Sequence, residues 1–408
     1  MYHFQCIDCG KTYKASELEY VCPECSSKQG SMEPTRGVLK VVFDYAAIKK
    51  KRREEIPAML CPLDDINNLP PLKVGPTPLY RPQIIAKEVG LKNLFIKNDT
   101  GLPTGSFKDR ASSLVVAKAR ELKKDIIVCA STGNAATALS GMCASVGMKC
   151  VIFVPASAPP AKLTQIASYG ARLIPVDGTY DDAFELSLAA TRKFGWYNRN
   201  TAYNPFTIEG KKSVSLEIWE QLGYKAPDKI FIPTGDGVIL AGTYKGFYDL
   251  LQLGLVDKMP QLIAVQAEGS PAILKMLGGD VYGFENKNVS GTIADSISVS
   301  APRNGLWAVK AIRETKGFGV AVTDAEIIQA IGHMASKSGV FAEPAAAAAF
   351  AGLLKMKGRI KPGENVIVLV TGTGLKDIPA AQKGIKIPKA IKPDIEFVIP
   401  AEAGIPLM

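Results

Sequence analysis

From about residue 77 the chain alternates short apolar runs with longer, partly polar segments. The runs 126–130, 150–155, 172–176, 229–233, 262–267 and 366–370 are each bounded by Gly, Pro, Ser or Asp. Together with 93–98 they predict buried strands. Segments of helical length lie between most of them: 111–122, 132–146, 161–169, 181–194, 213–222 and 241–251. Strands alternating with helices imply parallel sheets covered on both faces. The expected fold class is therefore α/β, with doubly wound sheets.

The first 75 residues follow a different pattern. Cys6-x2-Cys9 and Cys22-x2-Cys25 are separated by twelve residues, with Gly10 and Pro23 where tight knuckles need them. Four thiolates so spaced can close on one tetrahedral metal, and residues 13–21 are long enough for a hairpin between the pairs. Structural Zn2+ is the expectation, with all four positions filled by protein and none left for catalysis. A disulfide pair or a redox CxxC is the rival. The organisation expected is a zinc ribbon at 1–30, a connector at 31–75, a catalytic region at 76–380 with a smaller subdomain near 111–204, and a proline-dotted tail at 381–408 that wraps the surface.

Composition narrows the class. The chain has 408 residues, 47% of them hydrophobic and 22% charged, which is ordinary globular usage. Lys and Arg exceed Asp and Glu by 49 to 39, a net charge of +10. No long basic stripe interleaves with aromatics, so the charge favours small anionic ligands over nucleic acid. The dense cluster Lys49–Arg53 runs straight into Glu54 and Glu55 and reads as a solvated linker. No apolar run reaches eighteen residues, and the N-terminus lacks the pattern of a signal peptide, so no membrane partner and a cytoplasmic location are expected. With only His3 and His333, far apart, a histidine-based hydrolase or serine triad has little support.

The chemistry sits at strand ends, where doubly wound sheets bind ligands. After 93–98 comes Pro103-Thr104-Gly105-Ser106-Phe107-Lys108-Asp109-Arg110, a lysine on a tight turn ahead of a helix. Its amine can project into a cleft and suits a Schiff base with an aldehyde cofactor. After 126–130 comes Ser131-Thr132-Gly133-Asn134, a helix start rich in N–H donors. After 229–233, Gly235-Asp236-Gly237-Val238-Ile239 can converge backbone donors on a phosphate. After 366–370, Thr371-Gly372-Thr373-Gly374 has small residues that admit a flat ring, and Thr371 offers a hydroxyl.

Taken together, PTGSFKDR, STGNAA, the glycine loop before Tyr244-Lys245-Gly246-Phe247, Ala342-Glu343-Pro344-Ala345 and TGTGLKD resemble the fold-type-II pyridoxal-phosphate enzymes. The likeness spans about residues 72–380, and among these enzymes the chain is most similar to threonine synthases that carry an N-terminal zinc ribbon. The resemblance implies two α/β domains, a homodimer and pyridoxal 5'-phosphate as cofactor. It implies that Lys108 forms the Schiff base, Phe107 lies near the ring and Asn134 donates to the ring hydroxyl. Gly235, Asp236, Gly237, Val238 and Ile239 would cradle the phosphate, and Thr371 would face the pyridine nitrogen. Ser131 and Thr132 would hold the carboxylate of an amino-acid substrate, O-phospho-L-homoserine, which is converted to L-threonine in a lyase reaction.

One departure bears on the substrate. Where the family carries Asn-Ser and an Arg for the substrate phosphate, this chain has Thr201, Ala202 and Thr207. Lys211 is the expected replacement, with Lys212, Arg199 and Lys162 as further candidates. Alternatively the chain is a threonine or serine dehydratase or another β-replacement enzyme. In a reading of another class, it is a zinc-binding regulatory scaffold with an inert lysine turn.

Overall fold

The computed structural model describes residues 2–30, 33–284, 291–388, 390 and 393, without the side chains of residues 161 and 162. Most of the tail expected at 381–408 lies outside the described residues. The strands in chain order are β1 (Tyr2–Cys6), β2 (Thr12–Lys14), β3 (Leu39–Phe43), β4 (Leu79–Tyr80), β5 (Asn93–Asn98), β6 (Ile126–Ala130), β7 (Lys149–Pro155), β8 (Arg172–Val176), β9 (Tyr197–Asn198), β10 (Lys229–Pro233), β11 (Gln261–Ala267), β12 (Val281–Tyr282), β13 (Phe318–Val322) and β14 (Asn365–Val370).

They form three sheets. The large one runs β12-β13-β11-β10-β14-β5-β4, parallel throughout except for β4 at its edge. Successive residues of β10 enter different cores: Ile230 and Ile232 pack on one side, Phe231 on the other. Such a strand is apolar without alternation because both of its faces are covered. A second, four-stranded parallel sheet, β8-β7-β6-β9, spans residues 126–198. It divides its residues the same way, Ile127 and Cys129 against Val128 and Ala130.

The third sheet, β2-β1-β3, is antiparallel. Residues 39–43, expected in the connector, supply its third strand. Leu-Lys-Val-Val-Phe alternates between buried and half-buried positions, as a strand with one covered face must. Strand β13 was not expected, because its five residues include Gly319 and follow a Lys-Gly turn. The helix after it, Asp324–Ser338, starts at a capping box between Thr323 and Glu326. Helices expected from 111 and 241 begin at Lys108 and Val238, nearer the strand ends. Among the described residues no helix is long and apolar enough to cross a membrane.

Candidate active site

The lysine turn after β5 and the ends of β6 and β10 meet at one cleft of about 360 Å3, bordered by Lys108, Ser131, Thr132, Asn134, Arg199, Lys211 and Asp236. The lysine turn is pinned from two sides. Asp109 accepts hydrogen bonds from the backbone N–H and the hydroxyl of Thr104, at 2.7 and 2.5 Å. Phe107 N–H donates to the Thr371 carbonyl at 2.8 Å, which ties the turn to the end of β14. Gly105 takes φ +81°, a value that favours glycine. Lys108, expected just ahead of the helix, is its first residue, because the turn tightens directly into helical geometry.

Burial lowers the Lys108 ammonium below the usual lysine range. Arg199 adds to this, while Glu343 and Asp236 pull the other way. An amine so placed is readily neutral, which is the form that attacks a carbonyl. Phe107, expected beside a bound ring, is fully buried, with the Arg110 guanidinium 5.4 Å from its ring centre. Its backbone heads the helix, so its side chain turns inward among apolar neighbours.

Two helix starts present backbone donors with no acceptor among the described residues. The N–H groups of Gly235, Asp236, Gly237, Val238 and Ile239 have no acceptor among the described residues, and the helix Val238–Gln252 has no side-chain cap. A Cβ at Gly235 would stand 2.9 Å from Ile297 Cα, and Gly237 has φ +87°. Five orphan donors on a glycine loop at a helix N-terminus fit a phosphate. Asp236 lies on this loop, and burial raises its carboxyl above the usual range, lessening its repulsion of an anion. The N–H groups of Thr132, Asn134, Ala135 and Ala136 are likewise unmatched, at the place expected for a substrate carboxylate. Thr371 is buried beside the lysine turn, and its hydroxyl has no hydrogen bond within the described protein. An aldehyde, a ring nitrogen and a phosphate would thus all meet suitable partners, as pyridoxal phosphate requires.

The adjacent lysines 211 and 212 point in different directions. Lys212 Nζ forms ion pairs with Glu209 and Asp249, at 2.5 and 2.9 Å, and lies over the Phe43 ring. It is committed to the core and cannot serve the cleft, which corrects that candidate. Lys211 is 1% exposed and has no ion pair or hydrogen bond among the described residues. Burial, then Arg199 and Lys108, press its ammonium well below the ordinary range. Arg199 is also 1% exposed; its Nε donates to Ser112 at 3.3 Å, and one terminal nitrogen has no hydrogen bond among the described residues. Thr201 borders the cleft, Ala202 takes φ +59°, and Thr207 hydrogen-bonds the Asn204 carbonyl at 2.8 Å. The side chain of Lys162 lies outside the described residues.

Glu343 was visible in the sequence only as part of a motif. Its carboxylate oxygens each accept from Asn134 Nδ2 at 3.0 Å, while Ser296 Oγ lies 3.2 Å from the same nitrogen. Ser296 carried no sequence signal.

At the N-terminus the four Sγ atoms of Cys6, Cys9, Cys22 and Cys25 lie within 4.8 Å of one another. The Cys6–Cys25 and Cys9–Cys22 separations are 3.8 and 3.9 Å. Sulfurs about 2.3 Å from a tetrahedral ion stand about 3.8 Å apart, so the group has the dimensions of a zinc site.

The family model for pyridoxal-phosphate-dependent enzymes matches residues 71–372. Threonine synthase of Methanocaldococcus jannaschii is 36% identical over 97% of this chain and 98% of its own. That of Synechocystis is 36% identical over 83% and 87%. Among solved structures, maize serine racemase superposes with a TM-score of 0.63 at 22% identity, covering 75% of this chain and 91% of its own. Tomato threonine deaminase gives 0.61 at 22% identity, over 73% and 79%. These two share the fold, whereas the sequence likeness to the synthases runs nearly end to end. The chain therefore belongs to the pyridoxal-phosphate-dependent enzyme family and, within it, to the threonine synthases.

Proposed function

We propose that the chain converts O-phospho-L-homoserine and water into L-threonine and phosphate. The observation that carries the substrate assignment is the pair Lys211 and Arg199, two buried basic side chains beside Lys108 that form no ion pair among the described residues. Buried charges are ordinarily paired, so an unpaired cluster calls for an anion from outside. One such anion is the cofactor phosphate on the glycine loop. The substrate brings a second, and Lys211 replaces the residues absent at positions 201, 202 and 207.

The cofactor supplies an electron sink for charge developing next to the substrate carboxylate. Everything else falls to the protein. The N–H donors at Thr132 and Asn134–Ala136 hold the carboxylate and fix which bond at the α carbon faces Lys108. The Lys108 amine removes and returns protons at the α and β carbons, a role open to it because its ammonium is destabilised by burial. Lys211 and Arg199 take up charge on the departing phosphate, whose C–O bond breaks with the electron pair leaving on oxygen. Water then supplies the hydroxyl at the β carbon.

The test is an assay of phosphate release and threonine formation from phosphohomoserine, alongside deamination of threonine and serine. The expected result is turnover of phosphohomoserine, with KM raised at least tenfold in Lys211→Ala and cofactor content retained. Turnover of threonine or serine without phosphohomoserine would establish the dehydratase reading instead.

The cysteine cluster supports a second proposal, that Cys6, Cys9, Cys22 and Cys25 hold one structural zinc ion. Metal analysis of protein purified without chelators should find about one zinc per chain.

A further inference from the structure

We propose that a cavity between the connector and the helix ending in Lys211 is an effector site for a small, neutral, aliphatic molecule bearing one polar group. The cavity measures about 270 Å3 and lies between connector residues 57–74 and the helices that carry Arg110 and Gly210. Its walls are mostly aliphatic, with Leu60, Pro62, Leu72, Val74, Leu114 and Leu216 among them. The connector is tied down along its outer edge. Lys118 Nζ donates to the Pro62 carbonyl at 3.3 Å, Arg120 Nη1 to the Asn68 carbonyl at 2.6 Å, and Asp64 N–H to Glu121 at 2.8 Å. All three partners sit on the helix Lys108–Glu121, so the walls are held in place by the same element that carries the catalytic lysine.

The polar groups on the lining select the ligand's chemistry. Among the described residues three charged side chains border the cavity, and each is answered within the protein. Arg110 pairs with Asp99 and Glu217, Lys212 with Glu209 and Asp249, and Glu209 also lies 3.5 Å from Lys245. An ionic ligand would bring an unmatched charge among apolar walls, so a neutral one is favoured. Ser113 is the polar group left over. It is 6% exposed, borders the cavity, and its hydroxyl has no hydrogen bond among the described residues. A hydroxyl both donates and accepts, which suits an alcohol. Burial raises the Cys61 thiol on the same lining above its usual range, so it stays a neutral part of the wall.

The cavity reaches the catalytic cleft through one residue. Gly210 borders the cavity and packs against the Arg110 backbone, while the next residue, Lys211, borders the cleft. A molecule held between the connector and this helix bears on that contact and biases where Lys211 stands. Binding at the site is independent of which substrate is used, whereas its effect on KM rests on Lys211 meeting the substrate phosphate.

The test is calorimetric titration of the cofactor-loaded enzyme with cyclohexylmethanol. Cyclohexanecarboxylate and cyclohexylmethylammonium, which keep the carbon frame and add a charge, serve as comparisons. The alcohol should bind with a Kd of about 1 mM or tighter, and each ion roughly tenfold more weakly or not at all. Ser113→Ala should weaken the alcohol about fivefold, the worth of one neutral hydrogen bond. Ala58 stands exposed on the rim, so Ala58→Phe should block the mouth and abolish binding while cofactor content stays at the wild-type level. Saturating alcohol should shift KM for phosphohomoserine about twofold or more in the wild type and leave it unchanged in Ala58→Phe. Failure of the alcohol to bind, or equal binding by the wild type and both variants, overturns the site. Binding with KM unmoved overturns its role as an effector site. If the alcohol binds as described but phosphohomoserine is not turned over, the site stands and the substrate reading fails.

Discussion

Gly210 lies so close to Arg110 that a Cβ built on it would stand 2.3 Å from the Arg110 carbonyl oxygen and 2.8 Å from Ala111 Cα. Gly210 belongs to the helix Phe206–Lys211, and Arg110 to the helix headed by Lys108. Their contact brings Lys211 and Lys108 to the same cleft. Backbone atoms on the facing side cannot yield as a flexible side chain would. Gly210→Ala should therefore cost about 1–3 kcal/mol in denaturant unfolding. It should also raise KM for phosphohomoserine more than it weakens cofactor binding. Unchanged stability and KM would show that the two helices separate freely.

Lys108 should be the only lysine that carries the cofactor covalently. Borohydride reduction of the loaded enzyme should fix a pyridoxyl group on the peptide containing Lys108, and Lys108→Ala should abolish both the label and turnover. Lys211 is the informative control, because it is also buried, also destabilised as a cation and in the same cleft. Label on Lys211 would exchange the roles of the two.

The parallel sheets were legible because each buried strand is a short apolar run closed by a turn residue, and the ligand-binding ends of such sheets are fixed by topology. That rule places Lys108, Ser131, Thr132 and the glycine loop at the ligand-binding edge, while the roles expected of them came from the family resemblance. What escaped was direction. Lys211 and Lys212 are identical neighbours, yet one faces the cleft and the other Asp249, about 100° apart around a helix whose packed side could not be read from six residues. Strand β3 shows the alternation of a half-covered strand, but its partner β1 lies more than thirty residues away, across the cysteine loops. Ser296 and Glu343 become neighbours of Asn134 only after the chain has folded across 162 and 209 residues.

A buried ionic network under the lysine turn predicts how the fold responds to acid. Glu217 receives Lys97 Nζ at 2.6 Å and Arg110 Nη1 at 2.5 Å, while Arg110 Nε pairs with Asp99 at 2.6 Å. Burial alone would raise the Glu217 carboxyl, but Arg110 and Lys97 outweigh it and hold it at about 2, against an ordinary 4.5. A carboxyl depressed on folding contributes stability that is present above pH 4.5 and lost as pH falls from there toward 2. The loss at stake is roughly 3 kcal/mol. Urea midpoints measured between pH 6 and 3 should fall accordingly. Glu217→Gln should be less stable at pH 6 and show a flatter decline below pH 4.5. An equal decline in both proteins would assign the acid sensitivity to other groups.

If the four-cysteine cluster holds zinc as proposed, it should influence the cleft through the segment on which its sheet rests. Tyr2 and Phe4 of β1 meet Phe206 edge-on, with ring centres 6.3 and 6.0 Å away. Tyr20 stacks on Tyr203 at 4.6 Å, and its hydroxyl accepts from Asn198 N–H at 3.0 Å. Residues 198–206 carry Arg199 and lead into the helix Phe206–Lys211, so the N-terminal sheet packs on the segment that holds Arg199 and precedes Lys211. Cys22 is fully buried, so Cys22→Ser should remove the metal and lower the melting temperature, because a tetrahedral zinc site contributes folding energy directly. The cofactor turn lies on other strands and should still load, with Lys108 labelled by borohydride as before. KM for phosphohomoserine should rise, whereas cofactor Kd should stay within a few-fold of wild type. If zinc removal lowers thermal stability but leaves KM untouched, the ribbon supports the fold without bracing the cations. If cofactor binding is lost first, the coupling runs through the lysine turn instead of residues 198–206.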